Sequence, residues 1–315
     1  MNILMLRDEE VQSLLDFDSL LDALVAGFKS LSESKVVAPP RNELRMAGAG
    51  FILGMPAWQP GSNAAIKLVS IFHGNSHLGL PSHQALICLF DGQTGSPIAV
   101  MNGTAITAAR TAGAAALSTR LLARDNASVL AILGAGVQGT AHAQMLPRVR
   151  NFRDIRIASR NVSHAQQLAA TLPHARALAS FEEAARGADA ICLCTSSSAP
   201  VLSADWLSPG AHITSVGYAP PGGELDRGVI ARGKLFVETR LAFEPPPAGC
   251  SELAGLDPNS GTELGEVLLA TRPGRQSDHD ITIYKAMGQA MEDMVTANLV
   301  YQRARQQGIG QDVRL

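Results

Sequence analysis

Residues 17–33, FDSLLDALVAGFKSLSE, place Leu20, Leu21, Leu24, Val25, Phe28 and Leu31 at helical spacing, with Asp18 or Ser19 standing where an N-cap belongs. The next stretch, VVAPPRNELRM, is extended, because Pro39 and Pro40 exclude a helix. Short apolar runs follow, FILGMPAW, AAIKLVSIF, ALICLFD and PIAVMNG, broken by glycine, proline or asparagine. They predict strands joined by turns, with DGQTG at 91–95 as a hairpin connection. The front of the chain therefore predicts a helix followed by a mainly antiparallel sheet.

From Thr104 to about Ala123 the pattern turns helical and alanine-rich, then runs into the polar break ARDNAS. Beyond it, candidate strands at 128–133, 155–159, 189–195, 212–216 and 234–238 alternate with helical patterns. That alternation signals a parallel sheet with helices on both faces. Residues 239–280 read as irregular, with EPPPAG and RPGRQSD as loops. Residues 282–306 read as one long helix, with Met287, Met291, Met294, Val295 and Tyr301 near one face, packing back toward the front of the chain. The expected fold class is α/β: a doubly wound parallel sheet domain over 121–284, plus an α+β domain formed by 1–120 with 285–315.

Composition adds limits. A chain of 315 residues, 46% hydrophobic and 17% charged, can build two ordinary cores and is not of the disordered class. A net charge of -2 and a pI near 6.4 provide no field for nucleic acid or anionic lipid, so neither partner is expected. Four scattered cysteines do not make a disulfide framework, and Cys192 and Cys194 share a strand face as packing thiols. No cysteine or histidine pair stands at zinc-ligand spacing beside them. The N-terminus MNILMLRDEEVQS carries acids where a signal peptide carries lysine or arginine, and no apolar run approaches the roughly 20 residues of a membrane span. A cytoplasmic protein is expected.

The stretch SVLAILGAGVQGTAHAQ at 128–144 satisfies G-x-G-x-x-G at Gly134, Gly136 and Gly139. The first glycine suits a tight turn, the second lets backbone approach a pyrophosphate, and the third allows close helix–strand packing. The motif follows a strand, opens a helix and precedes another strand, which is the context a Rossmann dinucleotide site requires. Val137 and Gln138 of the same turn, and Thr195, Val216 and Gly217 at later strand ends, are assigned to the cofactor with them. At the end of the next strand, where NAD-binding chains place an acid for the ribose 2′-OH, this sequence has Ser159, Arg160 and Asn161. A guanidinium there can clamp a 2′-phosphate, so NADPH is favoured over NADH.

Three cations stand out in the front domain. Arg41 follows the diproline, Lys67 is embedded in AAIKLVSIF, and Arg110 lies in the alanine-rich helix. As a strand residue, Lys67 shares a face with Ala65, Val69 and Ile71, which demands an anionic partner. Together the three suit a carboxylate. GLPSHQA at 79–85 adds Ser82 and His83, the latter either a hydrogen-bonding or proton-donating group or a structural one. His73, His77 and His83 lie in a turn-rich loop without an acid, and no metal is expected there.

The ordered set APPR at 38–41, IKLV at 66–69, GLPSHQA, ITAARTA at 106–112, AILGAGVQG, GAHITSVG at 210–217, ELGEV at 263–267 and YKAMGQAMED at 284–293 resembles the ornithine cyclodeaminase/mu-crystallin family over nearly the whole chain. That family binds NAD(P) and handles small α-amino or α-imino acids; it includes ornithine cyclodeaminases, an alanine dehydrogenase and cyclic ketimine reductases. The resemblance implies that Arg41, Lys67 and Arg110 hold a substrate carboxylate with Ser82 close by; Lys67 and, from its own chemistry, His83 are the catalytic candidates. It implies homodimers assembled through the front-domain sheet, making 1–120 with 285–315 the substrate-binding and dimerisation domain.

Two departures separate this chain from true cyclodeaminases. Leu53 stands where they carry a glutamate, and VGYAPPGGELD lacks their aspartate, leaving Glu224 or Asp226 as replacements that could swing in. A basic pocket without a compensating acid disfavours a diamino substrate but tolerates a zwitterionic ketimine. The expected activity is NADPH-dependent reduction of Δ1-pyrroline-2-carboxylate or Δ1-piperideine-2-carboxylate to proline or pipecolate. The alternatives are an NAD-dependent ornithine cyclodeaminase and a non-catalytic protein that binds NADPH and a small ligand.

Overall fold

The computed structural model describes residues 2–314, apart from the side chains of His73 and Ser76. His73, one of the histidines weighed as a metal ligand, thus lies outside the described side chains. The chain forms two compact units, residues 1–110 with 289–315 and residues 111–288.

The first unit opens with β1 (Asn2–Leu6), α1 (Asp8–Leu14) and α2 (Phe17–Ser32). The N-cap of α2 is Asp16, not Asp18 or Ser19: its carboxylate accepts from the Ser19 N–H at 2.9 Å, so the helix starts earlier than the apolar pattern indicates. Strands β2 (Asn42–Met46), β3 (Gly50–Ala57), β4 (Ala64–Ile71), β5 (His83–Phe90) and β6 (Pro97–Asn102) follow, before helix α3 (Gly103–Leu122) carries the chain across residue 110. The predicted hairpin turn is present: Asp91 Oδ1 accepts from the backbone N–H groups of Gln93 and Thr94. In the sheet, β2 through β6 pair antiparallel in order while β1 lies parallel to β6. One face buries Phe51, Leu53, Met55, Val69, Ile71, Ile87 and Leu89.

The second unit builds a wholly parallel sheet from β7 (Val129–Leu133), then α4 (Val137–Met145), β8 (Asp154–Ala158), α5 (Val162–Ala169), β9 (Ala175–Ala177), α6 (Phe181–Ala185), β10 (Ala190–Leu193), β11 (His212–Ser215), α7 (Arg227–Arg232), β12 (Lys234–Val237), β13 (Gly261–Glu263), α8 (Leu264–Leu268) and β14 (Thr282–Lys285). Its order is β13-β12-β14-β11-β10-β7-β8-β9. The strand order reverses beside β7, which is the doubly wound arrangement. The molecule is thus α/β with a Rossmann-type parallel sheet and a separate mixed sheet.

One element reading is corrected. Residues 282–306 do not form one helix, because TIYK is buried on every position and pairs with both β11 and β12. A continuous buried run with no exposed face fits a central parallel strand. The helix begins later, as α9 (Ala290–Gln307), capped by Gln289 and closed by Gly308 in the left-handed region. It packs on β3, β4, β5 and α2 of the first unit, and β15 (Gln311–Arg314) then pairs antiparallel with β1. Where α2 and α9 approach, Gly27 lets the Met291 side chain lie close, since a Cβ there would displace Met291 Sδ.

Candidate active site

Lys67 stands on the buried face of β4, between Met55 of β3 and Ile87 of β5 in register, and is 2% exposed. The anionic partner its sequence position demands is Asp293, in the first turn of α9: Nζ lies 2.7 Å from Oδ2. Arg110, on α3, meets the other oxygen of that carboxylate through Nε at 3.0 Å, and donates from Nη1 to Glu292 at 2.6 Å. One carboxylate therefore bridges the ammonium of a strand and the guanidinium of a helix. Thr107, one turn before Arg110, donates to the Gly103 carbonyl and places its hydroxyl 3.5 Å from Lys67 Nζ. Helix α3 itself is started by Asn102, whose side-chain oxygen accepts from the N–H groups of Thr104 and Ala105.

Burial pushes the Lys67 ammonium down; Asp293 opposes this, Arg110 and Arg41 reinforce it, and the result is about 8. Arg41 thus acts on the same ammonium as Arg110, more weakly. The structure corrects the expectation of a pocket without compensating acid. Lys67 and Arg110 face Asp293 and Glu292, so the buried quartet is neutral. The two acids stand in YKAMGQAMED, but acidic residues in a first helical turn are ordinarily read as dipole partners. Their near-complete burial on α9, at 0% and 1% exposure, is what sets them apart.

Ser82 and His83 sit at the start of β5, paired with each other through Oγ and Nδ1 at 3.1 Å. His83 falls on the same sheet face as Lys67, but four positions from Ile87, which is about 13 Å along a strand. Leu53 is buried on that face two residues from Met55. Among the described residues no group of three His, Cys, Asp or Glu side chains is placed to hold a metal ion.

In the second unit, Gly134 takes φ +118°, a conformation L side chains rarely adopt, and its N–H donates to the Ala158 carbonyl at 2.8 Å. A Cβ on Gly139 would strike the Gly134 carbonyl, whereas space beside Gly136 is open. Gly136 caps α4 without a side-chain hydrogen bond, so the amino end of this helix is open to an anion, and Val137 there is exposed. This cradle fits the pyrophosphate of a dinucleotide. His142, inside α4, is pushed down to about 4 by burial; its ring Nδ1–H donates to the Gln138 carbonyl. At the end of β8, Ser159 is half-buried, Arg160 is exposed, and Asn161 caps α5 by accepting from the Ser163 N–H.

Thr195, Val216 and Gly217 lie just beyond β10 and β11, and all three hydrogen-bond to Glu224. Glu224 is therefore committed, and Asp226 is too, as the N-cap of α7 accepting from Gly228 and Val229. Neither substitutes for the missing family aspartate in this arrangement. Lys285, at the end of β14, is fully buried; burial lowers it, but Glu252, with Cys250 and Glu224, outweighs burial and its pKa is raised. The four cysteines are free thiols, and burial pushes Cys192 up to about 12.

Comparison with known proteins bears directly on this geometry. The model of the ornithine cyclodeaminase/mu-crystallin family matches residues 1–308. The ketimine reductase mu-crystallin of Mus musculus is 38% identical over 304 residues, covering 94% of this chain and 96% of that protein. The solved Δ(1)-pyrroline-2-carboxylate reductase of Thermococcus litoralis, in complex with NADH and L-proline, superposes with a TM-score of 0.93 at 30% identity, covering 99% of this chain and 100% of the other. An archaeal alanine dehydrogenase dimer with bound NAD gives 0.90 at 30% identity, with both chains fully covered.

Proposed function

From the ornithine cyclodeaminase/mu-crystallin family, to which this chain belongs, we propose a reductase of small cyclic ketimine acids that uses NADPH. The substrates are Δ1-pyrroline-2-carboxylate and Δ1-piperideine-2-carboxylate, the products proline and pipecolate. The observation that carries the reading is the buried Lys67–Asp293–Arg110 bridge, acted on by Arg41. Asp293 fixes Lys67 and Arg110 side by side, and Arg41 adds the charge that a substrate carboxylate would balance, its fork-shaped guanidinium being the complement of a carboxylate.

When bound, the dinucleotide supplies the hydride. Gly134, Gly136, Val137, Gln138 and Gly139 hold its pyrophosphate, Thr195, Val216 and Gly217 its nicotinamide end, and Ser159, Arg160 and Asn161 its 2′-phosphate. In the first unit, Arg41, Lys67 and Arg110 fix the substrate carboxylate, which removes rotational freedom before reaction; Ser82, beside His83 at the far end of β5, stands too far from Lys67 to share it. Lys67 and His83 are the groups able to hold a proton for the imine nitrogen. Lys67 stands within the clamp and titrates at about 8, so it is the donor we assign. Glu292 and Asp293 are occupied by Arg110 and Lys67, and Leu53 is apolar, so the second amine of ornithine finds no partner among these acids.

We also assign a homodimer formed through the outer face of the first unit's sheet. Leu68 and Leu86 are cross-strand neighbours there, 42% and 41% exposed, and Leu44 on β2 is 64% exposed. Clustered apolar side chains on one sheet face mark an interaction surface.

The deciding assay gives purified protein the pyrroline acid with NADPH, and separately ornithine with NAD, and pyruvate with ammonia and NADH. Rapid NADPH oxidation with proline formed is expected, as is a preference for NADPH over NADH that Arg160→Ala erases. Proline and ammonia from ornithine at the higher kcat/KM would make the chain a cyclodeaminase. Dinucleotide binding without turnover of any imino acid would make it a binding protein.

A further inference from the structure

We infer that Glu224 sets the geometry of the nicotinamide end of the cofactor site, by tying the ends of β10 and β11 to one buried carboxylate; this rests on reading the second unit as dinucleotide-binding. Glu224 is 0% exposed. Its Oε2 accepts from the Thr195 N–H at 2.8 Å and the Thr195 hydroxyl at 2.6 Å. Its Oε1 accepts from the Ser215 hydroxyl at 3.1 Å, the Val216 N–H at 3.1 Å and the Gly217 N–H at 2.6 Å. Gly217 is needed for this approach, since a Cβ there would lie 2.6 Å from both Glu224 Cδ and the Thr195 carbonyl.

The third strand joins the same knot. Lys285 Nζ, at the end of β14, donates to Ser215 Oγ at 3.1 Å, to the Gly217 carbonyl at 2.8 Å and to Glu252 Oε1 at 2.8 Å. The ends of three neighbouring strands, β10, β11 and β14, are thus held by one carboxylate and one ammonium. The Val216 N–H is shared with the Leu193 carbonyl at 3.2 Å, while for the N–H groups of Thr195 and Gly217, past their strand ends, a buried side-chain acceptor is one of the few ways to satisfy them. A carboxylate can take all five donors; no neutral side chain offers two accepting oxygens.

Location in the sheet gives the knot its role. In a doubly wound sheet the dinucleotide crosses the carboxyl edge at the reversal of strand order, one mononucleotide to each half. Strands β7, β8 and β9 form the half that takes the adenosine end, and β10, β11 and β14 the half that takes the nicotinamide end. Glu224 serves only the latter. It acts through Thr195, Val216 and Gly217, so it is a positioning residue.

Glu224→Gln tests this by titration calorimetry with two probes, NADPH and 2′-phospho-ADP-ribose, the latter lacking nicotinamide. Glutamine replaces an accepting oxygen with an NH2 group that faces other donors. NADPH should bind about tenfold more weakly, with 2′-phospho-ADP-ribose within about twofold of wild type. Ser215→Ala, which removes one donor to Glu224 and one acceptor of Lys285, should give the same split at about threefold; it decides the matter alone if Glu224→Gln does not unfold cooperatively. Equal losses for both probes, or no loss for either, would overturn the positioning role. Failure of the wild type to bind either probe would instead overturn the dinucleotide reading, and the inference with it.

Discussion

At Lys67, hydropathy and charge disagree, and the disagreement is legible in the amino-acid order alone: an ammonium alternates with Ala65, Val69 and Ile71 on a buried strand face. That it needs an anion follows from desolvation. Which anion it has does not follow, because Asp293 is far along the chain and only the packing of α9 on β4 brings the two together. The pairing has a kinetic signature. With Lys67 at about 8, the charged clamp is complete below that pH and is lost above it, so kcat/KM should fall on the alkaline side. Asp293 is the group that raises Lys67 against burial and against Arg110 and Arg41. Asp293→Asn should therefore move the alkaline limb to lower pH, as read from kcat/KM profiles below the variant's melting temperature. An unmoved limb would show that Asp293 does not govern the charge on Lys67. Arg160 is legible differently: the absence of an acid at that position is a fact of the chain, while the guanidinium's role depends on a ligand.

Among the elements, strong periodicity or strong punctuation is readable. The α2 pattern, the turn at Asp91 and the alternating strands of the second unit match the observed α2, the β5–β6 connection, and β7, β8, β10, β11 and β12. Elements that are very short or that run into another pattern are not readable: β9 and β13 have three residues each, and TIYK stands just ahead of α9, so its apolar positions merge with the helical pattern. The start of α2 is set by a residue outside its apolar pattern, Asp16, whose carboxylate Ser19 and then Arg303 hold at about 2. Its contribution is complete above the ordinary carboxylate value of about 3.9 and is lost as pH falls through the folded value. Asp16→Ala should lower stability at neutral pH by about 1 kcal/mol in urea titrations. The difference from wild type should fade as pH falls through about 2, where the wild-type cap itself takes up a proton. A difference undiminished there would assign the effect to something other than the ionised cap.

For the whole molecule, the fold class is legible from the order of patterns, and no described helix is long and apolar enough to cross a membrane. Self-association is the property still to be measured. Leu68→Arg places a charge at the centre of the Leu44, Leu68 and Leu86 surface and should turn a dimer into a monomer in sedimentation velocity, with the fold retained by circular dichroism. A wild type that sediments as a monomer would remove the assignment. The division of the chain has one more consequence, which concerns synthesis. The second unit is an insertion: the first is left at residue 110 and resumed at 289. Arg110 leaves the ribosome 182 residues ahead of Glu292, a delay on the order of ten seconds or more at ordinary elongation rates. Throughout that interval the nascent first unit holds its cations without α9, so burial of Lys67 and Arg110 against their acids is deferred until translation is nearly over. The Lys67–Asp293–Arg110 bridge is in this sense the last part of the first unit to be completed, although its cations are written early.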